Sequence, residues 1–481
     1  MASSTSSYSI RNTSLLILAL ILASTAIVFL SEKFGIVVNV VVLGIIAMST
    51  IFYVSLKYPR YNIIMILGIN FFMPLLIKAF SLHDIPFGIA NEGMCAMMLV
   101  TLALNKRLSG IKTYAGIALM IWLAYQILEL ANPYATSRIA GIMYLRSLIP
   151  FFSIFFVAYS SIENKRDVRI LLNAWMVYGL CAGLYGIYQE LVGLPGYDYA
   201  WASADEIRFN LLFTWGRMRK FSFFFNPSEF GMLMALTGTI SLVVLFFART
   251  ISMRVLSVAS AVFCLWSMMY SGSRTAMIIL PVGMAIFTAI TLHPKVIAAI
   301  IILGMAGTVM ILRPASGAMY VMATAFDAKN DPSMNVRLEN RALIRAYIQS
   351  NPVGFGLGAT GYLGNKYTPN TFIGQFDTDS EYVRVAVESG WIGLILWSGI
   401  LIVIFAKGVA LYFRTREPDW KMNVTIFLVF FYMVIVAMYA QELFVSPLLG
   451  MLLATMIGIA AKIQTKTDSS QINETETEVS Q

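Results

Sequence analysis

The sequence predicts an all-α polytopic membrane protein of about 14 transmembrane helices, with both termini inside and a large, partly helical loop on the outer side. Three observations carry this. Of 481 residues, 58% are hydrophobic and 12% charged, and the mean hydropathy is +0.75, far from the composition of soluble domains. Apolar runs of bilayer-crossing length, roughly 17–25 residues, recur along the chain. Lys and Arg are shared unevenly between alternate connections, as the positive-inside rule requires.

The runs centre, in order, on residues 14–30, 34–56, 61–80, 88–104, 113–130, 147–162, 170–193, 230–248, 254–271, 275–292, 296–312, 390–406, 423–440 and 446–461. Those at 61–80, with Pro74 and Lys78, and at 88–104, with Glu92, are the least regular. A Ser-rich, weakly basic stretch precedes the first run and a second run follows almost at once, which predicts an uncleaved helix rather than a signal peptide. With the N-terminus inside, eighteen Lys and Arg, from Arg11 and Lys57 to Lys462 and Lys466, fall on the inner side. The short outer loops hold five: Lys33, Lys78, Arg138, Arg146 and Arg274. This bias accounts for the net charge of +9 without a nucleic-acid partner. Cys95, Cys181 and Cys264 lie singly in apolar runs, so neither a disulfide framework nor a metal cluster is indicated. His83 and His293 are the only histidines, which excludes most zinc enzymes. No metal or other cofactor is expected.

Loop length then divides the chain. N-terminal membrane helices (1–193) lead to a first outer loop (194–229), central helices (230–312), a large outer loop (313–389), C-terminal helices (390–462) and a polar, acidic tail (463–481) that reads as disordered. Loops of this length are functional or disordered. These two contain aromatic, glycine and arginine residues rather than low-complexity sequence, so they are expected to be folded and to hold the site.

In the large loop Arg337, Arg341 and Arg345 recur at i, i+4, i+8 and form one stripe of a helix. Guanidiniums so placed repel one another unless an anion sits between them, and Arg binds phosphate oxygens bidentately. A solvated face with Glu339 as partner is the alternative for Arg341 and Arg345. Asn351-Pro352 stops that helix, and Gly354, Gly356 and Gly358 follow as a backbone loop of close approach or as a flexible connector. In the first loop Arg217, Arg219 and Lys220 precede a Phe-rich run ending in Asn226-Pro227, either a site or an interfacial anchor. Arg274, in Ser271-Gly272-Ser273-Arg274, stands at the outer end of a membrane helix, where a charge is a functional candidate unless it snorkels to headgroups. Asp377, Asp379, Glu381 and Glu388 cluster before and into the helix near Trp391. They can cap it, or one can act as a general base. Glu92, Glu129, Glu190 and Glu442 are structural partners or cavity-lining groups, and nothing in the sequence chooses.

Taken in this order, from about Arg217 to Trp397, these stretches resemble the O-antigen ligase and Wzy-type polysaccharide polymerase superfamily of bacterial, GT-C-like membrane glycosyltransferases. They are the arginine before the Phe-rich Asn-Pro, the Ser-Gly-Ser-Arg-Thr turn, the arginine helix leading to Asn-Pro-x-x-Gly-x-Gly-x-Gly, and Glu388-x-Gly390-Trp-Ile-Gly393. The resemblance implies transfer of a glycan from undecaprenyl pyrophosphate to an acceptor hydroxyl, without a metal, at the periplasmic face of the bacterial inner membrane. It implies membrane lipids and the lipid-linked glycan as partners, with flippase and chain-length regulator proteins beside them. It also places Arg219, Arg274 and Arg337 at the pyrophosphate.

Ligases of the superfamily carry a His-Asn pair about eleven residues before the glycine that opens the following helix. Counting back from Gly390 reaches Asp379-Ser380, and no histidine is available. The expectation is therefore an inverting polymerase of O-antigen or exopolysaccharide repeat units, with Arg219, Arg274, Arg337 and Arg341 on the pyrophosphate and Asp379 or Glu381 as base. The alternatives are a ligase of the same superfamily and a lipid-linked oligosaccharide flippase. The asymmetric loops and the lack of an internal repeat speak against the flippase.

Overall fold

The computed structural model describes residues 32, 49–82, 87–105, 109–214, 216–294, 296–298, 301, 304, 332–444 and 446–479. The chain divides into two units, Met1–Tyr58 and Pro59–Gln481. In the first, residues 49–57 are helical. The predicted run at 14–30 and most of those at 34–56 and 296–312 lie outside the described residues.

The second unit is nearly all helix. Its elements are α1 (Asn62–Ala79), α2 (Phe87–Leu104), α3 (Tyr114–Glu129), α4 (Arg138–Ser161), α5 (Lys165–Leu191), α6 (Gly196–Ser203), α7 (Glu206–Leu212), β1 (Phe213–Thr214), β2 (Arg217–Met218), α8 (Pro227–Phe247), α9 (Ile251–Tyr270), α10 (Arg274–Thr291), α11 (Pro332–Ser350), α12 (Gly361–Tyr367), α13 (Phe372–Gln375), α14 (Glu381–Glu388), α15 (Gly390–Arg414), α16 (Pro418–Ala437) and α17 (Pro447–Val479). Among the described residues ten helices are long and apolar enough to cross a membrane, and the shorter α3 is apolar as well. Each of the other eleven predicted runs coincides with one of these. The protein is an integral membrane protein, because hydrocarbon offers backbone groups no partner outside a helix.

Burial sorts the helices into an inner and an outer set. The membrane-crossing window is 83% buried in α17 and 78% in α8, against 28% in α2 and 33% in α1, α9, α10 and α15. α8 packs on α9, α9 on α5, α17 on α4 and α10 on α16. Small residues permit these approaches, as expected where lipid is as apolar as the side chains. A Cβ on Gly231 of α8 would stand 2.9 Å from Cβ of Ser273 and 3.0 Å from that of Ser271, so this glycine seats the turn before α10.

Two expectations change at helix ends. α4 begins at Arg138, with Ser137 accepting from the Ala140 amide at 3.3 Å, so Arg146 is a helical residue and not part of a loop. Its guanidinium meets Glu92 of α2 at 3.0 Å, and pairing within the bundle explains why both charges are tolerated. α17 continues to Val479, through the tail that composition marks as disordered. Ile463 is fully buried there and Asp468 pairs with Arg414, so the start of the tail is held by packing and charge.

The connections 130–137, 192–226, 271–273, 350–389 and 438–446 gather at one end of the bundle. Thr136 N–H donates to Phe355 O at 2.8 Å, Lys220 N–H to Tyr270 O at 2.9 Å, and Glu381 N–H to Met438 O at 3.0 Å. The first loop folds on Trp201, Ala202, Leu212 and Phe221, and carries a two-stranded hairpin with Thr214 opposite Arg217. The described part of the second folds on Ile344, Ala359, Ile373, Phe376 and Val387. The first loop and the described part of the second are thus packed on apolar clusters of their own.

Candidate functional site

Arg219 leaves the hairpin with its amide bonded to Leu212 O at 2.8 Å. Its Nε donates to Ser271 O at 2.9 Å and Nη2 to Ser228 Oγ at 3.1 Å. The side chain lies across Gly272, where a Cβ would stand 3.3 Å from Nε. Gly272 has φ +61°, a conformation that costs an L side chain energy. The Ser-Gly-Ser turn thus serves Arg219 and starts α10 at Arg274. Burial, then the charge of Arg274, lowers the Arg219 pKa to about 10, so the group stays cationic at neutral pH. Arg274 lies within electrostatic reach of both Arg219 and Arg337. The three arginines come from the residue after β2, from the start of α10 and from α11.

Arg337 and Ser228 line a cavity of about 440 Å³ that also contains Asn226, Glu229, Thr378, Asp379, Gln441, Glu442 and Ser446. Arg337 Nε is 3.7 Å from Asp379 Oδ2. Ser446 Oγ donates to Glu229 Oε1 at 2.7 Å, and the Thr378 hydroxyl donates to Glu442 Oε1. The lining therefore brings one arginine, Arg337, together with the carboxylates Glu229, Asp379 and Glu442. A bound diphosphate suits the first, and a proton transfer suits the second.

The other predicted site residues fall elsewhere. Arg341 Nη2 donates to Tyr439 O at 2.7 Å and its guanidinium lies 4.1 Å from the Tyr439 ring centre, so it clamps the 438–446 segment and does not line the cavity. Glu381 is fully buried, paired with Arg384, and accepts from the Phe444 amide at 3.2 Å, which places it behind the cavity wall. Gly354, Gly356 and Gly358 all have positive φ, at +75°, +88° and +67°. Their surroundings are protein: a Cβ on Gly354 would be 2.5 Å from Glu388 O, and one on Gly356 2.6 Å from Ala135 Cβ. The Gly356 amide donates to Glu388 O at 2.9 Å. These glycines let the loop pass closely between α4 and the α14–α15 junction. The Phe-rich run is no interfacial anchor at Phe221, Phe223 and Phe224, which are buried in the protein.

The four membrane-level glutamates now separate. Glu92 pairs with Arg146, Glu129 accepts from Asn132 Nδ2 at 2.9 Å, and Glu190 meets Arg217 and Lys220. Glu442 lines the cavity. Behind it Arg384, which is buried, reaches Glu388 Oε2 at 3.3 Å and Glu442 Oε2 at 3.8 Å as well as Glu381. Burial raises the Glu388 carboxyl above the usual range, against the pull of Arg384. Glu442 was legible only as one of four equivalent acids, since neither its burial nor its neighbours can be read from adjacent residues.

A polytopic membrane protein with two long loops beside a cavity lined by Arg337 and carboxylates is the class these features define. Residues 259–398 match the family model described as O-antigen ligase. The match bears out the resemblance read from the motifs and covers Arg274, Arg337, the glycine loop, Asp379 and Arg384, while Arg219 and Glu442 lie outside it. No curated protein matches the chain.

Proposed function

We propose that this protein is an inverting glycosyltransferase that polymerises oligosaccharide repeat units carried on a polyprenyl pyrophosphate, at the periplasmic face of the inner membrane. The observation that carries the reading is the electrostatic coupling of Arg219 to Arg274 and of Arg274 to Arg337, the last of which lines a cavity together with carboxylates. In this scheme the guanidiniums neutralise the diphosphate as charge grows on it, which is preorganised electrostatic stabilisation. A carboxylate of the cavity takes the proton of the incoming hydroxyl, which attacks the face of the sugar opposite the departing diphosphate, so the anomeric centre inverts. Asp379 and Glu442 are the described acids of the second loop and the 438–446 segment that reach the cavity.

A second reading, a ligase of the same type, is favoured by the description of the matching family. Against it stands Asp379-Ser380, where such ligases carry His-Asn. The surface glycan of a deletion strain separates the two. Glycan shortened to one repeat but still attached supports a polymerase, and long chains that fail to attach support a ligase. Normal glycan in both respects removes both readings.

A further inference from the structure

The cluster around Arg384 holds more negative groups than one guanidinium balances. Glu381, Glu388 and Glu442 all face it, and Tyr144 of α4 lies beneath it, with its ring centre 5.1 Å away. Buried carboxylates in excess of their counter-charge retain protons. Of the three acids, Glu442 alone is among the residues lining the cavity, where it faces Arg337, Asp379 and, from α8, Glu229. Asp379 is engaged by Arg337, the arginine proposed to face the diphosphate, and Glu229 is held by Ser446. Glu442 is held from behind by Arg384 and from the side by Thr378.

We infer that Glu442 is the catalytic base of the transfer reaction, with Arg384, Glu381 and Glu388 acting as positioning residues behind it. The inference rests on the function proposed above and assigns its proton. As the acceptor oxygen forms its bond to the anomeric carbon, its proton passes to the Glu442 carboxylate. The bond from that carbon to the diphosphate oxygen breaks with its electron pair, and the lipid diphosphate leaves as an anion beside the arginines. Glu442 then returns the proton to water. Its acidity agrees with the role: burial first, opposed by Arg384 and reinforced by Glu381, raises the carboxyl to about 7, and a base works best with a pKa near the working pH.

The test uses the full chain in proteoliposomes, with polyprenyl-diphosphate-linked oligosaccharide extracted from a strain lacking the protein as donor. Glu442→Gln is expected to lower the transfer rate at pH 7 by about 10² to 10⁴-fold, the usual contribution of a general base, and to change donor binding less than twofold. Glu442→Asp is expected to retain measurable transfer with its acid limb displaced from near pH 7. Asp379→Asn is expected to slow transfer while leaving that limb in place. Transfer by Glu442→Gln within threefold of the unaltered protein, or an unmoved acid limb in Glu442→Asp, overturns the assignment alone. No transfer by the unaltered protein overturns the function on which it rests.

Discussion

Lys78 of α1 stands 2.8 Å from Asp198 of the first long loop, and both side chains are fully buried. Lys78 Nζ also donates to Ser222 O at 2.9 Å and Phe224 O at 3.3 Å, while Asp198 accepts from Tyr185 and from Gln189. One ammonium thus ties a membrane helix to the segment that runs from Arg219 to Asn226. Breaking a buried pair strands a charge and costs about 3–5 kcal/mol, whereas replacing both partners with apolar groups is often neutral. Lys78→Met is therefore expected to lower the thermal midpoint in detergent sharply, and Lys78→Met with Asp198→Leu to recover much of it. A single variant as stable as the parent removes Lys78 as the anchor of the loop.

The arginines make a graded prediction. If Arg219, Arg274 and Arg337 stabilise a departing diphosphate, converting each to Gln should reduce transfer by about 2–4 kcal/mol of activation free energy, or roughly 30 to 1,000-fold. Arg341 belongs to the same helical stripe but grips Tyr439, so Arg341→Gln should cost less than about tenfold. Equal losses at Arg337 and Arg341, read as polymer formed per minute, would mean that the stripe acts as a whole and that the cavity is not what distinguishes them.

Backbone conformation supplies a third prediction. Gly354→Ala places a Cβ against Glu388 O at φ +75°, where neither neighbouring backbone can yield without moving the α14–α15 junction. We expect a loss of stability of about 1–3 kcal/mol, and with it weaker retention of the Asn132 side chain, which donates to Val353 O and Gly354 O. Chymotryptic cleavage after Phe355 or Leu357 that is no faster in the variant than in the parent counts against the close packing of this loop.

Much of the membrane fold is legible because hydrocarbon forces backbone hydrogen bonds inside each segment, so composition alone marks the helices. Arg219 and Arg274 stand out for a related reason: a charge at a helix end or beside a buried aromatic run has few structural excuses. The contacts of Arg341 and Glu381 are not legible, because helical periodicity reports which residues share a face and not what lies opposite. Tyr439 and Phe444, their partners, come from the connection after α16, far along the chain. The glycine loop reads as phosphate-binding or flexible until Glu388 and Ala135 are seen against it. Glu442 is the clearest case. Its environment is made by Thr378 and Arg384, and no local pattern announces a contact of that range.

The acidity of Glu442 ties stability to pH with a definite sign. Its carboxyl is raised from 4.5 in the unfolded chain to about 7 in the folded one, so the folded state binds the extra proton. Stability from this group is fully present below pH 4.5 and declines as pH rises through 7. Gln at this position keeps an oxygen to accept from Thr378 and carries no charge to desolvate. Glu442→Gln should therefore match the parent in thermal midpoint near pH 4.5 and exceed it at pH 8, by about 1–3 kcal/mol. A residue retained at a cost to the fold and needed for turnover is the signature of a functional site. If the variant is less stable than the parent at pH 8, the carboxylate is a structural partner of Arg384, and the displaced acidity has no catalytic meaning.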